Sequence, residues 1–111
     1  MKKNKTLAQL KRDVKARSIE FEMIAWHGQE VPERLQGRRK ITKAGTTKFW
    51  LSLKNGGDSY VDYPKAKLME YTDNDLVIYE LVRKYNPETY EYKETGEIKE
   101  ALRYKIYHTE S

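Results

Sequence analysis

The sequence predicts an α+β protein that is mostly β: a small, strongly curled antiparallel sheet, or an SH3-like barrel, with one short N-terminal helix. Three observations carry this prediction. Lys48 to Lys54 alternates strictly, with Phe49, Leu51 and Leu53 on one side and Lys48, Trp50, Ser52 and Lys54 on the other, the period of a half-buried strand. Turn signals recur at short spacing, and Asn55-Gly56-Gly57-Asp58 is the strongest of them. The start of the chain instead places Leu7, Leu10 and Val14 on one helical face.

Taken in order, Met1 to Lys5 reads as a charged, frayed start. Thr6 and Gln9 have the spacing of a capping box, so a helix begins at Leu7. Lys11, Arg12, Lys15 and Arg17 occupy its remaining surface, and the late cations suit the helix C-terminus. Ser18 to Trp26 alternates as a strand, Glu20 and Glu22 outward, and His27-Gly28-Gln29 ends it. Val31 to Gly37 is a connection, with one helical turn starting at Pro32.

Arg38 to Lys43 is the next strand, with Ile41 inward. Ala44-Gly45-Thr46 has hairpin length, with Gly45 free to take positive φ. Ser59 to Tyr63 follows the Gly-Gly turn and stops at Pro64, which cannot donate to a ladder. Leu68 to Tyr71 is a short strand. Leu76 to Val82 (LVIYELV) is nearly all apolar and is the candidate for the most buried strand. Residues 81–111 form a C-terminal extension or a hairpin turning at Glu94-Thr95-Gly96, although Ile98, Ala101, Leu102 and Lys105 also fit a helix.

The chain has 111 residues and no cysteine. That is one domain by length, able to bury a core without disulfides, and thiolate chemistry is excluded. The absence of cysteine fits a reducing, cytoplasmic setting. No apolar run reaches membrane-spanning length, and no signal-peptide core follows the basic start. Nine tyrosines against two phenylalanines suit a β-rich protein whose core edge is wet. The net charge of +5 is unevenly placed: residues 1–17 and 31–54 each carry +6, residues 18–30 carry −3 and residues 55–80 carry −4. If the fold joins the two basic blocks, they make one basic face.

Thr6-Leu7-Ala8-Gln9-Leu10-Lys11, the Pro32 to Arg38 segment PERLQGR, and the Tyr63-Pro64-Lys65-Ala66 corner ahead of Glu70-Tyr71 together resemble a group of small proteins carried by phages and mobile elements of Gram-positive bacteria. The resemblance covers residues 6–80. It implies a bacterial or phage origin and a place in the host cytoplasm, and carries over no catalytic residue.

Catalytic and metal chemistry find little support. His27 and His108 lie in no ligand spacing, even with Glu30 near His27. Gly56-Gly57 lacks the Lys-Ser/Thr and helix of a phosphate loop. Ser59 has no adjacent base, and Asp58 with Asp62 reads as a solvated strand face. No enzyme activity, cofactor or metal is expected. The basic blocks suggest nucleic-acid binding: Arg38, Lys40, Lys48 and Lys54 around Trp50, with Lys11, Arg12 and Lys15 from the helix, would track phosphates. Trp50, with Trp26 or Tyr60, would stack on bases. The alternative for Trp50 is a place beneath the helix, in a second core. A different function is a protein-interaction module that binds a host or phage protein through Tyr90 and Tyr92, since tyrosine is enriched at interfaces. An exposed strand edge could also pair two copies.

Overall fold

The computed structural model describes residues 4–109. Thr6 caps helix α1 (Leu7–Ala16), its hydroxyl accepting from the Gln9 N–H at 3.1 Å. This satisfies one of the donors that every helix start leaves open. Arg17 closes the helix with φ 55 in the left-handed region. Leu10 and Val14 are buried in the core, as the helical spacing predicts.

Among the described residues eight strands follow: β1 (Ile19–Trp26), β2 (Arg38–Arg39), β3 (Ile41–Ala44), β4 (Lys48–Ser52), β5 (Asp58–Asp62), β6 (Met69–Tyr71), β7 (Asp75–Asn86) and β8 (Glu91–His108). They form two antiparallel sheets, β2-β1-β8-β7-β6 and β3-β4-β5. The inner faces of the two sheets share one core. Phe21 of β1 stacks on Phe49 of β4 with ring centroids 5.5 Å apart and meets Tyr104 of β8 edge-on at 5.5 Å. The fold is thus α+β and mostly β. Neither the single strongly curled sheet nor the SH3-like barrel is borne out, because the ladders describe two open sheets.

Several expectations need correction. The predicted strand Arg38 to Lys43 is two strands, because the chain crosses from one sheet to the other at Lys40. Glu20 and Glu22 do not simply face water: Glu20 pairs with Arg38 at 2.5 Å, and Glu22 accepts from the Tyr107 hydroxyl at 2.6 Å. Of the frayed start, Met1 to Lys3 lie outside the described residues. Asn4 and Lys5 are tied down, since Asn4 Oδ1 accepts from the Tyr71 N–H at 2.7 Å and the Lys5 N–H donates to the Tyr71 carbonyl at 2.6 Å.

The stretch LVIYELV is buried at Leu76 and Val77 only, and β7 then leaves the body. β7 and β8 form one long hairpin, whose turn is at Pro87–Tyr90, where the Tyr90 N–H donates to the Asn86 carbonyl at 2.8 Å; residues 110 and 111 lie outside the described residues. Glu94-Thr95-Gly96 lies inside β8 as a bulge, with Gly96 at φ 83. Beyond Leu81 the hairpin is a two-stranded arm, and the molecule's long axis reaches 55 Å.

Candidate nucleic-acid interface

The candidate surface is the outer face of the small sheet. Strand alternation buries Phe49 and Leu51 and turns Lys48, Trp50 and Ser52 outward. Register then decides their neighbours. Trp50 lies between Lys43 on β3 and Tyr60 on β5, while Lys48 is opposite Asp62 and Ser52 opposite Asp58. The lysine ammonium groups lean onto the rings. Lys43 Nζ is 4.8 Å and Lys48 Nζ 5.9 Å from the Trp50 centroid, and Lys48 Nζ is 4.6 Å from the Tyr60 centroid, all within cation–π range. Trp50 is half-buried and Tyr60 is 59% exposed. Trp50 is therefore not a second core residue beneath the helix.

The β3–β4 turn shapes this face. Gly45 is not held by a positive φ, contrary to expectation. A Cβ there would come within 2.9 Å of the Lys48 carbonyl oxygen and 3.4 Å of the Trp50 ring. Glycine lets the turn close tightly beside the tryptophan, with the Gly45 N–H donating to the Lys48 carbonyl at 2.8 Å.

The helix meets the small sheet at β3 and at Tyr63, close to this turn. Arg17 Nη2 donates to the Thr42 carbonyl at 3.3 Å, and Lys11 Nζ lies 5.3 Å from the Tyr63 ring centroid. Tyr63 in turn donates its hydroxyl to the Gly45 carbonyl at 3.3 Å. Two basic blocks that are distant in sequence thus meet around one end of the small sheet. Arg12 and Lys15 are exposed on the same helix.

Other predicted members fall elsewhere. Arg38 belongs to the large sheet, where it pairs with Glu20 and stacks 4.4 Å from the Tyr107 centroid. Lys40 is exposed at the crossing, its N–H donating to Ser52 Oγ at 3.0 Å, at the end of β4 away from Lys48. Lys54 lies past the end of β4, its N–H donating to the Arg34 carbonyl at 3.0 Å. Trp26 lies on the large sheet, lining a cleft of about 450 Å³ between the sheets with Met23, Leu35, Leu53 and Tyr104. The predicted set omits Lys43 and gives Tyr60 only as an alternative to Trp26 for stacking on bases. Their signal was present in the alternation of β5 and in the two-strand register, which places both beside Trp50.

The acids temper the face. Asp58 and Asp62 share its outer side, and Asp58 accepts from the Thr42 hydroxyl at 3.1 Å. Ser59 points the other way and accepts from Arg39 Nη2 at 2.5 Å. Arg39 itself is 2% exposed. Its Nε donates to the Ser52 carbonyl at 2.6 Å and its Nη2 reaches the Leu51 carbonyl at 3.4 Å. Burial draws the guanidinium below its ordinary pKa, and the Tyr104 hydroxyl acts in the opposite sense. Arg39 is a clamp between the sheets, and a cation there does not reach the outer face.

The tip of the arm carries the second predicted site. Tyr90 is 80% and Tyr92 67% exposed, and Tyr92 packs against Tyr85 with centroids 5.0 Å apart. His27 closes a tight turn at φ 48, and His108 Nε2 lies 2.7 Å from the Asp73 carbonyl oxygen. Among the described residues, no three His, Cys, Asp or Glu side chains gather where they could hold a metal ion. No described helix is long and apolar enough to cross a membrane. Comparison with protein-family models, curated proteins and solved structures finds no match.

Proposed function

We propose that this protein is a small, non-enzymatic binding module of phage or mobile-element origin, working in the host cytoplasm, that takes nucleic acid with unpaired bases on the outer face of its small sheet. One observation supports this reading above the rest: Trp50 and Tyr60 lie side by side with Lys43 and Lys48 over their rings, where the two basic blocks meet. An aromatic pair offers a stacking platform, and cations around it follow the phosphate backbone. Lys11, Arg12, Lys15 and Arg17 extend the positive field along one side. A base stacking on Trp50 displaces a lysine ammonium from the ring, and that lysine is then placed to meet the adjoining phosphate. Asp58 and Asp62 narrow the path to the Lys43–Lys48 end of the face. Lys40 and Lys54 contribute long-range charge only.

The test is intrinsic fluorescence during titration with a single-stranded oligonucleotide. Trp50 and Trp26 are the two tryptophans. Binding should quench the emission, Trp50→Phe should abolish the quench, and Trp26→Phe should retain it. A quench that survives Trp50→Phe and disappears with Trp26→Phe would move the site to the cleft.

A second reading has its own observation. The exposed Tyr85, Tyr90 and Tyr92 at the tip of the arm suit a protein partner of the host or phage. Tyr90→Ala combined with Tyr92→Ala separates the two readings, because it leaves the small sheet untouched and should leave nucleic-acid affinity unchanged.

A further inference from the structure

The arm raises a separate question, independent of the nucleic-acid reading. A two-stranded ribbon standing alone is marginally stable in water, and this one exposes hydrogen-bonding edges on both sides. The edge strands elsewhere are shorter: the longest, β5, has five residues, with Asp58 and Asp62 at its two ends. β2 has two residues and β6 three, β6 receives the Lys5 N–H, and α1 reaches β3 through Arg17. The two edges of the arm differ. On β8 the edge is broken by the bulge at Thr95-Gly96, with Gly96 at φ 83, and carries Glu91, Glu94, Glu97 and Glu100. Such bulges and charges blunt an edge. On β7 the extra residues of both register shifts lie across the ladder, in β8, so the strand itself runs regularly from Tyr79 to Tyr85.

Hydrogen-bonding parity limits how this edge can pair. The Asp75 carbonyl accepts from the Thr72 N–H on the β6 side, whereas the Val82 carbonyl accepts from the Thr95 hydroxyl on the β8 side. Odd-numbered residues of β7 therefore point their backbone groups at the open edge, and even-numbered ones point theirs at β8. Two copies related by a two-fold axis can then be centred only on a residue facing itself. A centre at Arg83 or at Lys84 sets like charges directly opposite, which is destabilising. A centre at Val82 sets Val82 on Val82, Leu81 beside Arg83, Glu80 opposite Lys84 on both sides, and Tyr79 opposite Tyr85. This register fills the edge from the end of β6, which stops against Ile78, to the turn at the tip.

We infer that the partner of the arm is a second copy of this chain, joined through antiparallel β7–β7 pairing centred on Val82. The product is a four-stranded β8-β7-β7-β8 ribbon that holds two small sheets at opposite ends.

The absence of cysteine in the chain makes the test direct. Val82 facing Val82 is a non-hydrogen-bonded pair, with Cα atoms about 4.5 Å apart, within the range that a disulfide spans. Val82→Cys should oxidise to a covalent dimer, while Glu97→Cys on the blunted β8 edge should stay monomeric. Sedimentation of the native protein should show a dimer. Lys84→Glu should weaken it by setting a second anion against Glu80 of the facing copy, while the ion pair of Glu80 with Lys99 inside the arm stays in place. A monomer mass at all concentrations, or equal cross-linking at positions 82 and 97, overturns the proposal. So does a dimer that Lys84→Glu leaves as stable as the native one.

Discussion

At the scale of single residues, Arg39 and Trp50 exchange the roles their types suggest. A run of Arg38, Arg39 and Lys40 reads as solvated charge, yet Arg39 is the buried one, donating to the Leu51 and Ser52 carbonyls and to Ser59. It joins β2 of the large sheet to β4 and β5 of the small one. Arg39→Met removes charged donors and leaves those acceptors facing an apolar side chain. A buried hydrogen bond to a charged group contributes roughly 1.5–3 kcal/mol, and the gain in apolar packing offsets part of the loss. The expected destabilisation is about 2 kcal/mol or more, measured as a lowered urea midpoint. An unchanged midpoint would show that Arg39 is not the clamp. Trp50, which sequence alone left between core and surface, is decided by its neighbours across the strands. Nothing in local alternation says which sheet face a helix will cover.

At the scale of elements, the strands that alternate cleanly were legible. β1, β4 and β5 fall where the period of two puts them, and the Thr6–Gln9 spacing located α1. Three things were not legible. The crossing at Lys40 depends on two sheets competing for one stretch, so Arg38 and Lys48 read as one face but belong to different sheets. The turn of the last hairpin was misplaced because Glu94-Thr95-Gly96 has turn composition. A glycine at positive φ serves a β-bulge as well as a turn, and only the partner strand tells them apart. The burial of LVIYELV was overestimated because apolar content does not reveal where a strand leaves the body. Its half-buried Leu81 and Val82 lie on a ribbon with no sheet beside it, which is the composition expected of an edge awaiting a partner.

At the scale of the whole molecule, buried tyrosines tie stability to pH. Tyr71 lies at the junction of α1 and β6, donating its hydroxyl to Asp13 Oδ2 at 2.5 Å. Burial first, and then the Asp13 carboxylate, raise its pKa well above the ordinary value. Burial also pushes Tyr104, in the centre of the core, up to about 12. Both groups keep their protons in the fold at a pH where an unfolded tyrosine has lost its own, near about 10. Their contribution to stability is thus fully present below about pH 10 and is lost as pH rises through the folded values. With both groups protonated only in the fold, the decline approaches about 2.7 kcal/mol per pH unit. Urea unfolding between about pH 9 and about pH 11.5 should show it, and Tyr71→Phe with Tyr104→Phe should flatten the slope.

The same scale holds the functional claim, since the proposed basic face adds the cations of α1 to Lys43 and Lys48 where Arg17 reaches the Thr42 carbonyl of β3. The most direct measurement is the salt dependence of single-stranded oligonucleotide binding, for the native protein and for Lys43→Ala with Lys48→Ala. Each phosphate neutralised contributes about −0.7 to the slope of log affinity against log salt. The expected result is a steep negative slope for the native protein that becomes shallower by about 1.4 in the double variant, with the fold unchanged by circular dichroism. Binding with equal salt dependence in both proteins, or no binding at low salt, would contradict a nucleic-acid surface at Lys43, Lys48, Trp50 and Tyr60.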